Sequence, residues 1–144
     1  MRILEIRPAT FEEILNLRHE VLRAGRPLES AYYPGDESGV GAHWGAWSGH
    51  ELAACVSLYT VEGPSTQLRG AATAPHWRNQ GIGEALMRAA IAAWWSDTNA
   101  PRDLWCNARV AAITLYERLG FVAEGERFEF PEVGPHQRMR WVAS

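Results

Sequence analysis

The most constraining feature of this chain is a glycine-containing turn that joins a short strand to a long helix. Residues 67–73 read as the strand, and Pro75 ends it because proline cannot donate to a sheet ladder. Apolar residues then recur at helical spacing over 82–95. Gly81 and Gly83 stand where the turn meets the helix. The chain therefore predicts a strand–turn–helix unit with glycines at the first turn of the helix.

The start of this helix is predicted to bind an anion. The first four N–H groups of a helix have no partner within it, and glycines without a Cβ let a ligand approach those groups closely. The helix macrodipole and the positive charge of Arg78 both favour negative charge at this position. A phosphate or a pyrophosphate is the simplest ligand for such a turn.

Two familiar phosphate-binding loops do not match the turn. A Walker A loop ends in Gly-Lys-Ser or Gly-Lys-Thr, which the chain lacks, and a dinucleotide-binding fingerprint needs a third glycine where Leu86 stands. The remaining pattern, Arg78-x-x-Gly81-x-Gly83, resembles the acetyl-CoA pyrophosphate loop of the GNAT superfamily, the Gcn5-related N-acetyltransferases. Taken alone, the loop is also compatible with an ordinary glycine-rich helix start.

A second segment strengthens this resemblance. Residues 112–121 read Ala-Ile-Thr-Leu-Tyr-Glu-Arg-Leu-Gly-Phe, similar to the GNAT segment in which an alanine precedes a Leu/Phe-Tyr pair and a Lys/Arg-x-Gly-Phe ending. The order of elements also fits, and the likeness covers nearly the whole chain. It implies one α/β domain over 1–144, with a mixed central sheet of about six or seven strands flanked by helices. One position departs from the family pattern: Arg109 stands where many members have asparagine, and the nearest asparagine is Asn107.

The rest of the chain predicts the other elements. Thr10 and Glu13 form a capping box at the start of a first helix, and Gly49-His50 predicts a hairpin turn. A helix between two strands makes a right-handed crossover, so strands 67–73 and 103–107 are predicted to be parallel. The predicted strands span 2–7, 43–48, 51–60, 67–73, 103–107, 121–130 and 137–142, and a further helix spans 108–119.

A glycine- and proline-rich segment over 23–42 reads as a long loop, and loops of this length are often functional. Its aromatic and acidic residues are Glu29, Tyr32, Tyr33, Asp36 and Glu37. Carboxylates beside aromatic rings would suit an amine pocket, whereas a solvated loop would point the same acids into water. Both interpretations remain open from the sequence.

The GNAT resemblance implies direct acetyl transfer from acetyl-CoA to a primary amine of a small molecule or peptide. It implies a backbone N–H near Ala72 as the donor to the thioester oxygen and Tyr116 as the acid that protonates the leaving thiolate. A core ring with a satisfied hydroxyl is the other interpretation of Tyr116. Arg109 either reaches a phosphate or points to solvent. The implied cofactor-binding residues are Ala71, Ala72, Thr73, Arg78, Asn79, Gln80, Gly81, Ile82, Gly83 and Asn107.

No motif singles out the general base that must deprotonate the amine. The candidates are Glu29, His43, Glu51, Glu62, His76 and His136. An acyl-CoA-binding or regulatory module without catalysis is the alternative function, and an interaction domain that pairs through an exposed edge strand is a third. Tyr116 argues against the binding module, and the absent family asparagine favours it.

Composition limits the partners. A net charge of −3 argues weakly against nucleic acid, no signal peptide precedes Arg2, and no apolar run reaches membrane-spanning length. We therefore expect a cytoplasmic protein with no nucleic-acid or membrane partner, and we allow a homodimer. Cys55 and Cys106 lie in apolar strand-like runs and are expected to be buried reduced thiols. The five histidines lack the spacing of metal ligands, so no metal is expected.

Overall fold

The computed structural model describes residues 4–61, 64–131 and 133–143, and within them the chain forms one sheet of eight strands with three α-helices. The strands are β1 Glu5–Ala9, β2 Ala42–Ser48, β3 Glu51–Val61, β4 Ser65–Thr73, β5 Leu104–Arg109, β6 Phe121–Ala123, β7 Phe128–Phe130 and β8 Gly134–Trp141. The helices are α1 Phe11–Leu22, α2 Ile82–Ser96 and α3 Ile113–Arg118, with short 3-10 turns at Leu28–Ala31, Pro75–Trp77 and Val110–Ala112. None of the described helices is long and apolar enough to cross a membrane.

The sheet has the strand order β1-β2-β3-β4-β5-β8-β6, and β7 also pairs with β8. The β4–β5 pair is parallel, as predicted from the crossover through α2, and the other neighbouring pairs are antiparallel. The mixed α/β architecture is confirmed, with one strand more than the upper expected number. The closing strand predicted over 121–130 is divided, because β6 and β7 pair with different parts of β8 and 124–127 leave the ladder. The start of the strand predicted over 2–7 lies outside the described residues.

The first helix forms as its sequence predicts. The Thr10 hydroxyl accepts the Glu13 N–H at 3.1 Å, and the Glu13 carboxylate accepts the Thr10 N–H at 2.9 Å. This capping box satisfies two N–H groups at the helix start. Ile14 and Leu17 are buried and pack with Cys55 of β3 on one face of the sheet.

The other face of the sheet carries α2 and α3. Leu86, Met87, Ile91 and Trp94 of α2 are buried in a cluster that also holds Tyr116 of α3. Burying one such large side chain contributes about 1.5–3 kcal/mol of transfer free energy. The central sheet therefore has α1 on one side and the α2–α3 pair on the other.

The helix predicted over 108–119 is wrong in its first part. β5 continues through Ala108 to Arg109, and α3 begins only at Ile113. Ala108 pairs with Gln137 of β8, and Arg109 pairs with His136. The ladder with β8 satisfies the backbone of these residues, so a partner distant in sequence decides their conformation rather than the local apolar spacing.

Candidate functional site

A split in the middle of the sheet opens a cavity. β4 and β5 pair only at Thr66–Leu104 and Gln67–Trp105, although both strands continue beyond these positions. The β3–β4 ladder shifts register before the end of β4, where Gly70 adopts a φ of +68°. One extra residue on β4 makes a bulge, and a bulge bends its strand. Glycine suits this position because its φ is positive.

The split opens into a cavity of about 490 Å³ that is lined by residues from both faces of the sheet. On the face of α2 and α3 its wall includes Gly83, Met87 and Tyr116. On the face of α1 its wall includes Cys55 and Tyr33. A ligand bound in the split would therefore contact the helix start on one face and the α1 side of the sheet on the other.

The predicted anion-binding turn has the expected geometry. Gly81 is the N-cap of α2 with a φ of +76°, Asn79 has a φ of +61°, and no side chain caps the helix start. The first backbone bond of the helix runs from the Ala85 N–H to the Gly81 carbonyl, so the preceding N–H groups are free of helical partners. Gly83 lines the cavity itself. The other members of the predicted set adjoin it in the turn: Arg78, Asn79, Gln80, Gly81 and Ile82.

The end of β4 supplies the backbone wall of the cavity. Ala71, Ala72 and Thr73 all line it, and their small side chains leave room. The Ala74 N–H donates to the Ala53 carbonyl, and Ala72 lies opposite Cys55 in the same ladder. Because N–H groups alternate along a strand, the Ala72 N–H points toward β3. The cavity-facing N–H donors nearest to Ala72 are therefore those of Ala71 and Thr73.

The predicted acid, Tyr116, projects from α3 into the cavity wall. Its ring is only 7% exposed and packs edge-on against Phe121 at 5.3 Å between centroids. Its hydroxyl makes no hydrogen bond within the described part of the chain, so the core interpretation with a satisfied hydroxyl does not hold. Burial raises the pKa of Tyr116 far above 10, the nearby Cys106 adds to the rise, and Arg109 opposes it. The phenol therefore remains protonated at neutral pH and able to donate.

The two β5 candidates also reach the cavity. Asn107 is half-buried and Arg109 is exposed, and both line the wall beside Tyr116. Arg109 forms no ion pair with an acid among the described residues, so its guanidinium is available to an anion. The position of the family asparagine is thus occupied by a cavity-lining cation.

The long loop before β2 is fastened to the sheet by a buried ion pair. The Asp36 carboxylate accepts hydrogen bonds from Arg18 at 2.7 Å, from the Tyr33 N–H at 2.7 Å and from the Tyr59 hydroxyl. The Arg18 guanidinium also donates to the Ala31 carbonyl at 2.7 Å. Burial alone would raise the pKa of Asp36, but hydrogen bonds from Tyr59 and Arg18 hold that pKa below its ordinary value. The buried pair therefore fixes the position of Tyr33.

This arrangement separates the two interpretations of the loop. Of its five aromatic and acidic residues, Tyr33 alone lines the cavity. Asp36 is buried against Arg18, whereas Glu29 and Glu37 are exposed and Tyr32 packs on Phe11. The loop thus brings an aromatic ring, and no acid of this set, to the cavity.

Among the candidates for the general base, His136 lies in the cavity wall. Its Nδ1 lies 2.8 Å from the Gly134 carbonyl, which can only accept, so in the neutral ring Nδ1 carries the proton and Nε2 has the lone pair. His43 is buried against Ser57, and burial lowers the pKa of its imidazole. Glu51 and His76 pair with each other away from the cavity, Glu29 lies outside it, and Glu62 falls outside the described residues.

Both cysteines are free, buried thiols, as expected. Cys55 lines the cavity, and burial raises its pKa to about 12. Burial likewise raises the pKa of Cys106 to about 12. The described residues hold no group of three or more side chains suited to a metal ion.

Two cavity-lining cations went unnoticed in the sequence. Arg23 and Arg69 contact the ring of Tyr33 from α1 and β4. No local pattern marks them, because Arg23 reads as the first residue of the long loop over 23–42 and Arg69 as an ordinary strand residue. They meet only through the fold.

Comparison with known proteins relates this chain to a family of acetyltransferases. Residues 39–123 match the family described as "Acetyltransferase (GNAT) domain". The chain is 28% identical over 140 residues to the uncharacterized N-acetyltransferase YitI of Bacillus subtilis, with 93% of each chain covered. Its fold is similar to that of Escherichia coli ElaA, with a TM-score of 0.83, 17% identity, and 97% of this chain and 100% of the other covered. An acyl-CoA N-acyltransferase from Pseudomonas aeruginosa gives a TM-score of 0.74 at 24% identity, with 97% and 100% covered.

Proposed function

The chain belongs to the GNAT family of acetyltransferases, and from that premise we propose that it is a single-domain enzyme that moves the acetyl group of acetyl-CoA directly to a primary amine. The observation that carries this proposal is the split between β4 and β5. One cavity is lined by Gly83 of the glycine turn, by the free edge of β4 and by Tyr116. These are the groups that acetyl transfer from a phosphate-bearing thioester requires.

Different residues around the split would bind different parts of acetyl-CoA. The start of α2, with Arg78, would hold the pyrophosphate, because its N–H groups and dipole favour negative charge. The free edge of β4 over 71–73 would pair with the amides of the pantetheine arm. Arg109 would contact the cofactor at the position where many family members have asparagine. The small side chains of Ala71 and Ala72 leave the space that an extended arm needs.

The chemistry then needs three groups. The N–H groups of Ala71 and Thr73 are aimed away from β3 and can stabilise the oxyanion that develops on the thioester carbonyl. Nε2 of His136 can accept the proton of the incoming ammonium, directly or through water. The protonated Tyr116 can then donate to the departing thiolate, and the second proton that the nitrogen loses as the amide forms restores the phenol.

Direct transfer is favoured over an acetyl-cysteine intermediate. Cys55 lines the cavity, but a thiol with a pKa of about 12 carries almost no thiolate at neutral pH. The thiol is therefore a poor nucleophile, and the amine itself must attack the thioester. A binding module without catalysis would need none of these proton-transfer groups, so turnover separates it from the proposed enzyme.

Replacing Gly83 with valine is expected to weaken acetyl-CoA binding by at least about tenfold, because a tenfold change corresponds to about 1.4 kcal/mol and several phosphate contacts would be lost. A Cβ at this position would lie 3.0 Å from the Thr73 Oγ1 and would cover the N–H groups of the turn. Isothermal titration calorimetry with acetyl-CoA measures the effect. Ala93→Val is the matched control, since it adds a branched side chain to an exposed position on the same helix.

The same titration tests the site itself. The control should bind acetyl-CoA like the wild type. If Gly83→Val remains folded by circular dichroism and keeps wild-type affinity, the pyrophosphate does not bind at the start of α2.

A further inference from the structure

The part of the cavity on the α1 side of the sheet is walled by cations. Arg69 of β4 and Arg23 at the end of α1 both line it, and both lie against the ring of Tyr33. No described residue that lines the cavity is aspartate or glutamate. The face opposite the α2 helix start therefore carries positive charge of its own.

Arg69 is the more constrained of the two cations. It is half-buried, and its guanidinium carbon lies 4.0 Å from the centroid of the Tyr33 ring. Within the described residues it forms no ion pair, so the aromatic face is its stabilising neighbour. Burial lowers the pKa of Arg69 from the ordinary arginine value, and the charges of Arg23 and Arg18 act in the same direction. A partly desolvated cation of this kind gains from an anion that enters the cavity.

Arg23 adds a second unmatched charge. Its Nη1 donates to the Leu22 carbonyl at 2.9 Å, and its guanidinium carbon lies 5.7 Å from the Tyr33 centroid. It too lacks an acidic partner among the described side chains. The two guanidinium groups thus share one aromatic ring and face one space.

The neighbouring Arg18 is a structural cation, and it differs from Arg69 and Arg23 in having a carboxylate partner. Its guanidinium carbon lies 4.1 Å from the same Tyr33 ring, but it is fully buried and is matched by Asp36 at 2.7 Å. Of the three cations around this ring, the one that does not line the cavity has a carboxylate partner. The two that line the cavity have none.

From this contrast we propose that the acceptor of the transferred acetyl group is an amine that also carries a carboxylate, as an amino acid does, and that Arg69 and Arg23 bind this carboxylate. The inference rests on the proposed function and names its substrate class. Guanidinium groups pair with carboxylates through two parallel hydrogen bonds, which would orient the amine as well as attract it. A polyamine would instead meet two like charges and no counter-charge from the described wall. Arg69 and the bulge at Gly70 are consecutive residues, so the carboxylate would be held close to the point of transfer.

The test compares amines that carry a carboxylate with amines that lack one. Free thiol release from acetyl-CoA is followed with single L-amino acids, with their carboxamides, and with cadaverine and spermidine. We expect kcat/KM to be at least about tenfold higher for the best acid than for its carboxamide, mainly through a lower KM, as loss of one charged hydrogen-bond pair costs a ligand at least this much. Spermidine should be a poorer acceptor than that acid.

Substitution of Arg69 tests whether its guanidinium binds the carboxylate of the acceptor. In Arg69→Gln the KM for the best acid should rise at least about tenfold, and the ratio of acid to carboxamide efficiency should fall toward one. Arg69→Lys keeps the charge but not the planar fork, and should recover part of the preference. Arg7→Gln is the matched control, because Arg7 lies on the edge strand β1 away from the cavity and should leave the preference unchanged.

The outcomes separate this inference from the proposed function. Thiol release with carboxamides or spermidine at an efficiency equal to that of the acids would overturn the carboxylate site and leave the acetyltransferase proposal standing. O-Phosphoethanolamine and β-alanine are compared in the same assay, and a preference for O-phosphoethanolamine would likewise overturn the assignment of a carboxylate. An unchanged acid preference in Arg69→Gln would remove Arg69 as the binding group. Absence of acetyl-CoA binding, and of thiol release with every amine, would overturn the proposed function and this inference with it.

Discussion

Replacing Tyr116 with phenylalanine is expected to lower kcat about 100-fold, because a positioned general acid typically contributes between 10² and 10⁴ to the rate. Acetyl-CoA affinity should stay close to that of the wild type, since only a hydroxyl is removed from the wall. Steady-state thiol release gives kcat, and calorimetry gives the affinity. Tyr32→Phe is the control, because it removes a tyrosine hydroxyl from the long loop outside the cavity.

The pH dependence sharpens this prediction. Burial raises the pKa of Tyr116 above that of an ordinary phenol, so the acid form persists to higher pH. The wild-type rate should therefore show no loss from deprotonation of this tyrosine between about pH 6 and 9, since even an ordinary tyrosine has a pKa near 10. A Tyr116→Phe enzyme with wild-type kcat across that range would exclude Tyr116 as the acid.

Replacing Asp36 with alanine is expected to lower the free energy of unfolding by about 3–5 kcal/mol, because the change leaves the guanidinium of Arg18 buried without its partner. Arg18 is fully buried and its ion pair with Asp36 is fully shielded from solvent. Urea denaturation followed by circular dichroism measures the loss. Glu37→Ala is the matched control: this neighbouring acid is exposed, and its removal should change the free energy by less than about 0.5 kcal/mol.

The ion pair also sets a pH dependence of stability. The pKa of Asp36 is lowered in the folded protein, so its contribution is complete above the unfolded value, which is near 3.8, and is lost as the pH falls through the folded value. The difference in stability between the wild type and Asp36→Ala should therefore be constant at neutral pH and shrink only below about pH 4. Equal stabilities for Asp36→Ala and Glu37→Ala at pH 7 would contradict the anchoring role.

The parts of the fold that the sequence predicts best are set by local chemistry. Thr10 and Glu13 lie three residues apart, so their capping box depends only on this short stretch of the chain. Gly81 with its positive φ needs only its own turn. The apolar spacing of α2 likewise predicts which face of the helix packs against the sheet. In each case the residues that decide the structure are neighbours in the chain.

The parts that escaped prediction depend on partners distant in sequence. Ala108 lies in a strand because β8 pairs with it, and the closing strand is divided because 124–127 leave the ladder with β8. Arg18 meets Asp36 across 18 residues and Tyr59 across 41. No periodicity in the chain encodes such meetings, so the anchoring of the loop required the structure.

The candidate site divides in the same way. The anion-binding turn and Tyr116 were predicted from short motifs, and both are found at the wall of one cavity or in the turn beside it. Their binding and catalytic roles remain predictions, which the Gly83→Val and Tyr116→Phe variants test. The cationic wall of Arg23 and Arg69 had no motif, because it arises where α1 and β4 approach Tyr33. The acceptor class is therefore a structural inference rather than a sequence prediction.

The measurement that tests the central claim most directly is acetyl transfer from acetyl-CoA carrying a ¹³C-labelled acetyl group, with thiol release and the mass of the amine product followed in one preparation. We predict that thiol is released above the buffer rate only when a suitable amine is present, and that the labelled acetyl group appears on that amine in equal amount. Saturable acetyl-CoA binding without thiol release from any amine would contradict the enzyme and favour a binding module. No acetyl-CoA binding at all would contradict the site built around the split between β4 and β5.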